Sequence, residues 1–144
     1  LSDHYYGNQS SDSILAPREK VKDELQRYRA MRGRSTSVAA WVEDTYIQHL
    51  DAFLDTGRTP MRCHSLRSSC FVDPWGVVFP CITYSRPIGR LREHGMNLAS
   101  VWNGAEAAQL QSEIWEGRCP QCWTACEAYQ SILGNLARRD GLVS

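Results

Sequence analysis

Six cysteines are the residues of this chain best suited to chemistry, and they fall into two groups separated by 37 residues. The groups are Cys63, Cys70 and Cys81, then Cys119, Cys122 and Cys126. Thiolates are soft ligands that bind zinc, copper(I) or iron–sulfur clusters. If the fold brings the two groups together, it creates a metal site made of sulfur ligands.

Three kinds of cysteine chemistry remain open at this point. An even count allows disulfides, but the sequence shows no secretory signal and the chain is large enough to fold without such cross-links. Cys119-x-x-Cys122 is half of a structural zinc site, which Cys63 with Cys81 or Cys70 could complete. Four thiolates also suit an iron–sulfur cluster. Spacing alone does not separate zinc from iron–sulfur.

A tight turn organises the first cysteine group. Asp73-Pro74-Trp75-Gly76 separates two short apolar runs at residues 70–72 and 77–79. Proline presets the backbone for the first central position of a turn, and glycine relieves its far end. The pattern predicts a β-hairpin with Cys63 leading in and Cys81 at its exit.

Two helices are predicted before the hairpin. The first starts near Pro17, presents Val21, Leu25 and Tyr28 on one face, and ends before Gly33. The second begins at Ser35 or Ser37 and ends at Gly57. Its predicted core stripe is Val38, Trp41, Val42, Tyr46, Leu50, Phe53 and Leu54. His49 on this helix is predicted to be a surface or boundary residue.

Shorter elements are predicted after the hairpin. Residues 87–91 form a turn and an extended run, residues 98–102 one helical turn, and residues 105–115 a helix. A last helix is predicted over residues 124–138. Its inward residues are Tyr129, Leu133 and Leu136, while Arg138 and Arg139 suit its C-terminal dipole. The expected fold class is α+β: a small antiparallel hairpin beside a cysteine-rich metal site, flanked by about four helices.

Composition excludes several classes of function. The chain of 144 residues carries 16 basic and 16 acidic side chains, so no basic excess points to nucleic acid or an anionic membrane. No apolar run approaches the roughly 18 residues of a membrane span. The N-terminus has no features of a signal peptide, and we expect a cytoplasmic protein. Because Leu1 stands where an initiator methionine would, we expect a piece of a longer chain.

Several segments together resemble the SPASM and twitch domains, the C-terminal auxiliary-cluster domains of radical SAM enzymes. The spacing Cys63-x12-Gly76-x4-Cys81 is similar to the opening of those domains, and residues 71–81 to their hairpin. Residues 88–93 resemble the family's IGNLRE segment, with Arg90 in place of asparagine. Residues 98–103 resemble its LxxIWN segment, and residues 119–126 its closing cysteine group.

The departures from the family pattern limit what the resemblance implies. A full SPASM domain has Cys-x2-Cys-x5-Cys-x3-Cys and one further cysteine, whereas this chain has Cys-x2-Cys-x3-Cys. The resemblance therefore implies one [4Fe–4S] cluster, with Cys63, Cys81, Cys122 and Cys126 at the matching positions. Cys119 is the expected substitute for Cys122. Cys70 is a further candidate that we expect to be a small core residue.

The resemblance implies an auxiliary cluster domain at residues 60–144 that serves electron transfer or substrate positioning. Residues 1–59 would be the end of a radical SAM barrel with its linking helices, Tyr5-Tyr6-Gly7 belonging to its last strand. The Cys-x3-Cys-x2-Cys loop that holds the SAM-binding cluster is missing from the sequence. We therefore expect this chain not to be catalytic alone and its partner to be the barrel, with a peptide or small molecule as substrate. The alternative is a zinc-stabilised structural or interaction module.

Five other polar residues could carry chemistry near the cysteines. His64 adjoins a proposed ligand, and Tyr129 lies one helical turn beyond Cys126, so either could support the cluster from outside its ligand shell. The full set is His64, Asp73, His94, Glu127 and Tyr129. We expect each of them to be structural.

Overall fold

The computed structural model describes residues 17–33 and 36–137. Helices and short strands follow one another in the predicted order. The helices are α1 (Arg18–Met31), α2 (Val38–Thr56), α3 (Leu98–Trp102), α4 (Ala105–Trp115) and α5 (Ala125–Ala137). The strands are β1 (Phe71–Val72), β2 (Val77–Phe79) and β3 (Gly89–Arg90), with a 3₁₀ turn at Leu91–His94. The α+β class is confirmed.

Some predictions concern residues outside the described part of the chain. These are the strand remnant at Tyr5-Tyr6-Gly7, the helix start at Ser35 and the cationic helix end at Arg138 and Arg139. The alternative helix start is confirmed, since the Ser37 hydroxyl accepts a hydrogen bond from the Ala40 amide at 3.1 Å. Across residues 17–33 and 36–137, no helix combines the length and apolar character needed to cross a membrane.

The three strands form one antiparallel sheet in the order β1-β2-β3. Phe71 pairs with Phe79, and Val77 pairs with Arg90. The predicted extended run at residues 87–91 thus contributes a third strand to the predicted hairpin. All three residues of β2, the central strand of the sheet, are buried.

The hairpin turn is held by one aspartate and one glycine. Asp73 Oδ1 accepts hydrogen bonds from the Trp75 amide at 2.9 Å and the Val77 amide at 2.8 Å. Gly76 has a φ of 79°, a left-handed conformation that costs other residues about 1–2 kcal/mol. Asp73 is therefore a structural residue, as expected, and the sequence placed the turn correctly.

Two apolar cores lie on either side of the cysteine-bearing segments. The first joins α2 to α5, and its buried members are Val42, Leu50, Phe53, Leu54, Met61, Trp123, Ala128 and Ile132. The second joins the sheet to α3 and α4, and its buried members are Leu66, Val78, Ile88, Val101, Ala107, Leu110 and Ile114. Helix α1 has no buried residue and rests on the first core through the half-buried Val21 and Leu25.

The inward face predicted for the last helix is wrong. Tyr129, Leu133 and Leu136 are exposed, whereas Ala128, Ser131 and Ile132 are buried. Ala128 and Ile132 belong to the first core, and Ser131 is buried because the backbone of His64 packs directly on this helix. The core stripe predicted for α2 is also wrong at its N-terminal end, where Val38 and Trp41 are exposed.

Candidate metal centre

Contacts from two helices fix the backbone around Cys63. The Trp115 indole of α4 donates to the Cys63 carbonyl at 3.0 Å. From α5, Asn135 Nδ2 donates to the Arg62 carbonyl at 2.8 Å, and Ser131 Oγ accepts from the His64 amide at 3.0 Å. The first cysteine of the site is therefore held between helices that come much later in the sequence.

Cys81 lies where the chain leaves the central strand β2. Ser65, two residues after Cys63, donates its hydroxyl to the Pro80 carbonyl at 2.6 Å, so the two cysteine-bearing segments are joined directly. The Thr83 hydroxyl lies 3.1 Å from Cys81 Sγ and donates to it when the thiol is ionised. Strand β2 and the loop before the hairpin thus bring Cys63 and Cys81 together.

The second cysteine group is anchored on α2 and the segment that follows it. Trp123 is fully buried, and its indole donates to the Tyr46 carbonyl at 2.9 Å. The Thr59 hydroxyl donates to the Cys122 carbonyl at 3.0 Å. Gln121 adopts a φ of 53° and accepts from the Thr59 amide at 2.9 Å. These contacts hold the Cys119–Cys122 loop against the rest of the site.

Cys126 lies in the first turn of α5 and is exposed. The buried hydroxyl of Thr124 lies 3.2 Å from Cys126 Sγ and 3.8 Å from Cys122 Sγ. One threonine therefore links the two cysteines of the Cys122-x3-Cys126 motif.

Three of the cysteines and Glu127 influence one another electrostatically. Burial holds the pKa of the Cys63 thiol far above its ordinary value, and the nearby charges of Glu127, Cys122 and Cys81 raise it further. Burial also raises the pKa of Cys81 to about 11, with Glu127 and Cys122 again contributing. These four residues therefore lie in the same region of the fold.

The two remaining cysteines lie beside the second core. Burial is the largest cause of the raised pKa of Cys119, with the charge of Cys122 adding to it. Cys119 and Cys63 also line a cavity of about 320 Å³. Cys70 packs against the same core, and burial raises its pKa. All six cysteines are free thiols.

The other polar candidates occupy varied positions. His64 is buried against Gly134 of α5. Tyr129 is exposed and packs edge-on against Tyr46. His94 lies in the exposed 3₁₀ turn, and its ring is close to Gly89 of β3. His49 packs half-buried against Trp123, as expected of a boundary residue.

Sequence reasoning missed the residues that support the cysteines from outside. Ser131, Gly134 and Asn135 recur at helical spacing on α5 and contact residues 62–64. Small and amide residues at that spacing could have indicated a close helix contact. The supporting role of Gln121 could not be predicted, because glutamine rarely adopts the left-handed backbone that it has in this loop.

The structure places cysteines on loops of a small α+β scaffold. Residues 63–127 match the family model of the SPASM domain, described as an iron–sulfur cluster-binding domain. This part of the chain is therefore similar to a SPASM domain. No curated protein and no solved structure matches the chain significantly.

The donor set fits an iron–sulfur cluster in its chemistry. Cys63, Cys81 and Cys122 are free thiols within the matched region, and iron–sulfur clusters are bound by cysteine sulfur. In a four-iron cluster each ligand binds a different iron, so its ligands enclose a space rather than meet at a point. Among residues 17–33 and 36–137, no three His, Cys, Asp or Glu side chains are grouped as for a single metal ion.

The hairpin turn gives a first testable prediction. Gly76→Val forces a β-branched side chain into a left-handed backbone, and we expect a loss of roughly 1–2 kcal/mol or more in the free energy of unfolding. Because β2 leads directly to Cys81, iron content after reconstitution is expected to fall as well. Thermal melting and iron analysis measure both effects. Normal values of both would show that the turn does not position Cys81, and Gly33→Ala, in open space, is the control.

Proposed function

We propose that this chain holds one [4Fe–4S] cluster and serves as the auxiliary cluster domain of a radical SAM enzyme. Its role is to pass electrons to or from a catalytic barrel. Substrate positioning is the other role that such a domain can have. Full protein ligation favours electron transfer, because a bound substrate would need an open iron.

One observation supports the proposal: the match to an iron–sulfur cluster-binding family spans residues 63–127, which contain all six cysteines. Within it, the Ser65 hydroxyl joins the Cys63 segment to the end of β2, and the charge of Cys122, from the loop before α5, acts on both Cys63 and Cys81. Cys63, Cys81 and Cys122 are therefore the first three proposed ligands. The family pattern adds Cys126 as the predicted fourth ligand.

The neighbours of the sulfur atoms would tune such a cluster. The Ser65 amide donates to Cys63 Sγ at 3.4 Å, and the hydroxyls of Thr83 and Thr124 lie beside Cys81 and Cys126. A bound cluster supplies one-electron redox chemistry at a potential set by such hydrogen bonds and by burial. The chain's own part is to hold the thiolates, donate to them and limit water around them.

The partner in this proposal is a radical SAM barrel, in the same parent chain or as a separate subunit. Residues 1–59 would supply its end and the linking helices, and residues 60–144 the cluster domain. SAM would bind to the barrel and not to this chain. A peptide or small molecule would be the substrate.

Electron transfer is tested by reducing the reconstituted chain anaerobically with dithionite and recording its EPR spectrum. We expect an S = 1/2 signal that accounts for about one spin per chain, as one reducible cluster requires. A cluster that is present by iron and sulfide analysis but takes up no electron would contradict the electron role and leave substrate positioning.

The isolated chain is expected to form no 5′-deoxyadenosine from SAM. Cleavage of SAM needs a three-cysteine cluster with an open iron, and the sequence contains no Cys-x3-Cys-x2-Cys loop. Reconstituted chain, SAM and dithionite are incubated together and the product is measured by chromatography. Product above a control without protein would reveal a SAM site in this chain. Turnover that appears only when the barrel is added would identify a split enzyme.

A further inference from the structure

Two consecutive residues of α5, Cys126 and Glu127, could each supply a ligand, but they point in different directions. Successive helical residues are rotated by about 100° around the axis. Ser131 and Asn135 lie four and eight positions after Glu127 and therefore share its face. Both contact residues 62–64, so the Glu127 face of the helix is the one that meets the Cys63 segment.

Burial separates the same two residues. Glu127 is 8% exposed, whereas Cys126 is exposed at the helix start. The Thr124 hydroxyl beside Cys126 Sγ is a contact within the same loop. The carboxylate is thus the more enclosed of the two donors.

The carboxylate of Glu127 is buried with little to compensate its charge. Its Oε2 accepts a hydrogen bond from the neutral amide of Gln130 at 2.7 Å. Within residues 17–33 and 36–137, no ion pair includes Glu127. A buried carboxylate normally has a cation or a metal as partner, because one neutral donor does not offset the loss of hydration.

We propose that Glu127, and not Cys126, supplies the fourth ligand of the cluster, completing a set with Cys63, Cys81 and Cys122. Three irons then have thiolate ligands and one has a carboxylate oxygen. In this proposal, the bound iron is the cation that compensates the charge of the buried carboxylate. This inference rests on the proposed function, since it presupposes a cluster in this site.

The test compares the full chain with Cys126→Ala, Glu127→Ala and Glu127→Cys after anaerobic reconstitution with ⁵⁷Fe and sulfide. Glu93→Ala, which removes an exposed carboxylate in the 3₁₀ turn, is the control. Iron content and Mössbauer spectra are the readouts. An oxygen-ligated iron gives a separate doublet with a higher isomer shift than its thiolate-ligated neighbours.

We expect the wild-type spectrum to contain this separate doublet, and Cys126→Ala to keep it with about four irons per chain. Glu127→Ala is expected to lose at least half of its iron. Glu127→Cys is expected to retain the cluster while the separate doublet merges with the others. The Glu127→Cys spectrum keeps the test decisive even where Glu127→Ala folds poorly.

Loss of the cluster in Cys126→Ala, or four thiolate-type irons in the wild type, would overturn the Glu127 assignment and leave the proposed function intact. A wild-type chain that assembles no iron–sulfur cluster would overturn both.

Discussion

Cys63→Ala and Cys81→Ala are each expected to reduce the iron bound after reconstitution from about four atoms per chain to below one. Cys81 is buried and Cys63 is half-buried, the charge of Cys122 acts on both, and their segments are joined by the Ser65 hydroxyl. Alanine removes a ligand from the enclosed part of the site, where no water can easily replace it. Iron and acid-labile sulfide analysis, with the visible spectrum, measures the effect.

Cys70→Ala is the matched control for these two variants. Cys70 comes from the same group and precedes β1, but burial alone raises its pKa and no charge of another cysteine contributes. We expect it to keep its full iron content and to lose only some stability from the missing contact. Full cluster content in Cys63→Ala or Cys81→Ala would overturn the ligand assignment, and loss in Cys70→Ala would add that residue to the site.

Gly134→Ala is expected to disrupt the site from the face of α5 that contacts residues 62–64. A Cβ at this position would lie 2.7 Å from Cγ of His64 and closer still to Nδ1 and Cε1. His64 follows Cys63 directly, its ring is buried, and its amide is bound to Ser131 of the same helix, so a displaced ring is expected to disturb the Cys63 segment. Helix propensity alone predicts a gain of about 1 kcal/mol from the substitution. The steric overlap costs about 1–3 kcal/mol and is expected to outweigh that gain.

Thermal melting and iron content both measure the Gly134→Ala effect. Gly33→Ala is the control, because no atom lies within 4 Å of a Cβ at Gly33. A second variant, His64→Ala with Gly134→Ala, removes the ring that causes the overlap. We expect this double variant to recover iron content relative to Gly134→Ala. An increase in melting temperature in the single variant would contradict the close packing of His64 on α5.

Local chemistry predicted most of the secondary structure. The turn at Asp73–Gly76 depends on residues that are adjacent in sequence, and the structure gives Gly76 a left-handed backbone that glycine readily adopts. Ser37 and Gly57 mark the ends of α2 through their own side chain and backbone. The helix over residues 105–115 was predicted with both ends correct. Each of these features is decided within a few residues.

Features that depend on distant contacts were harder to predict. Tyr129, Leu133 and Leu136 share an apolar stripe, yet this face of α5 is exposed because the opposite face packs on residues 62–64. The candidate metal centre could likewise be predicted only in part from the sequence. Cysteine spacing indicated a metal centre, but the burial of Glu127 and the approach of Gly134 to His64 arise only when the chain is folded.

The central claim is that the site holds an iron–sulfur cluster and not zinc. The most direct test purifies the chain with and without oxygen and measures iron, acid-labile sulfide and zinc together with the visible spectrum. We predict a brown anaerobic protein with about four irons and four sulfides per chain and a broad band near ~400 nm that dithionite bleaches. A colourless protein that holds about one zinc per chain under both conditions would contradict the claim and establish a structural zinc site.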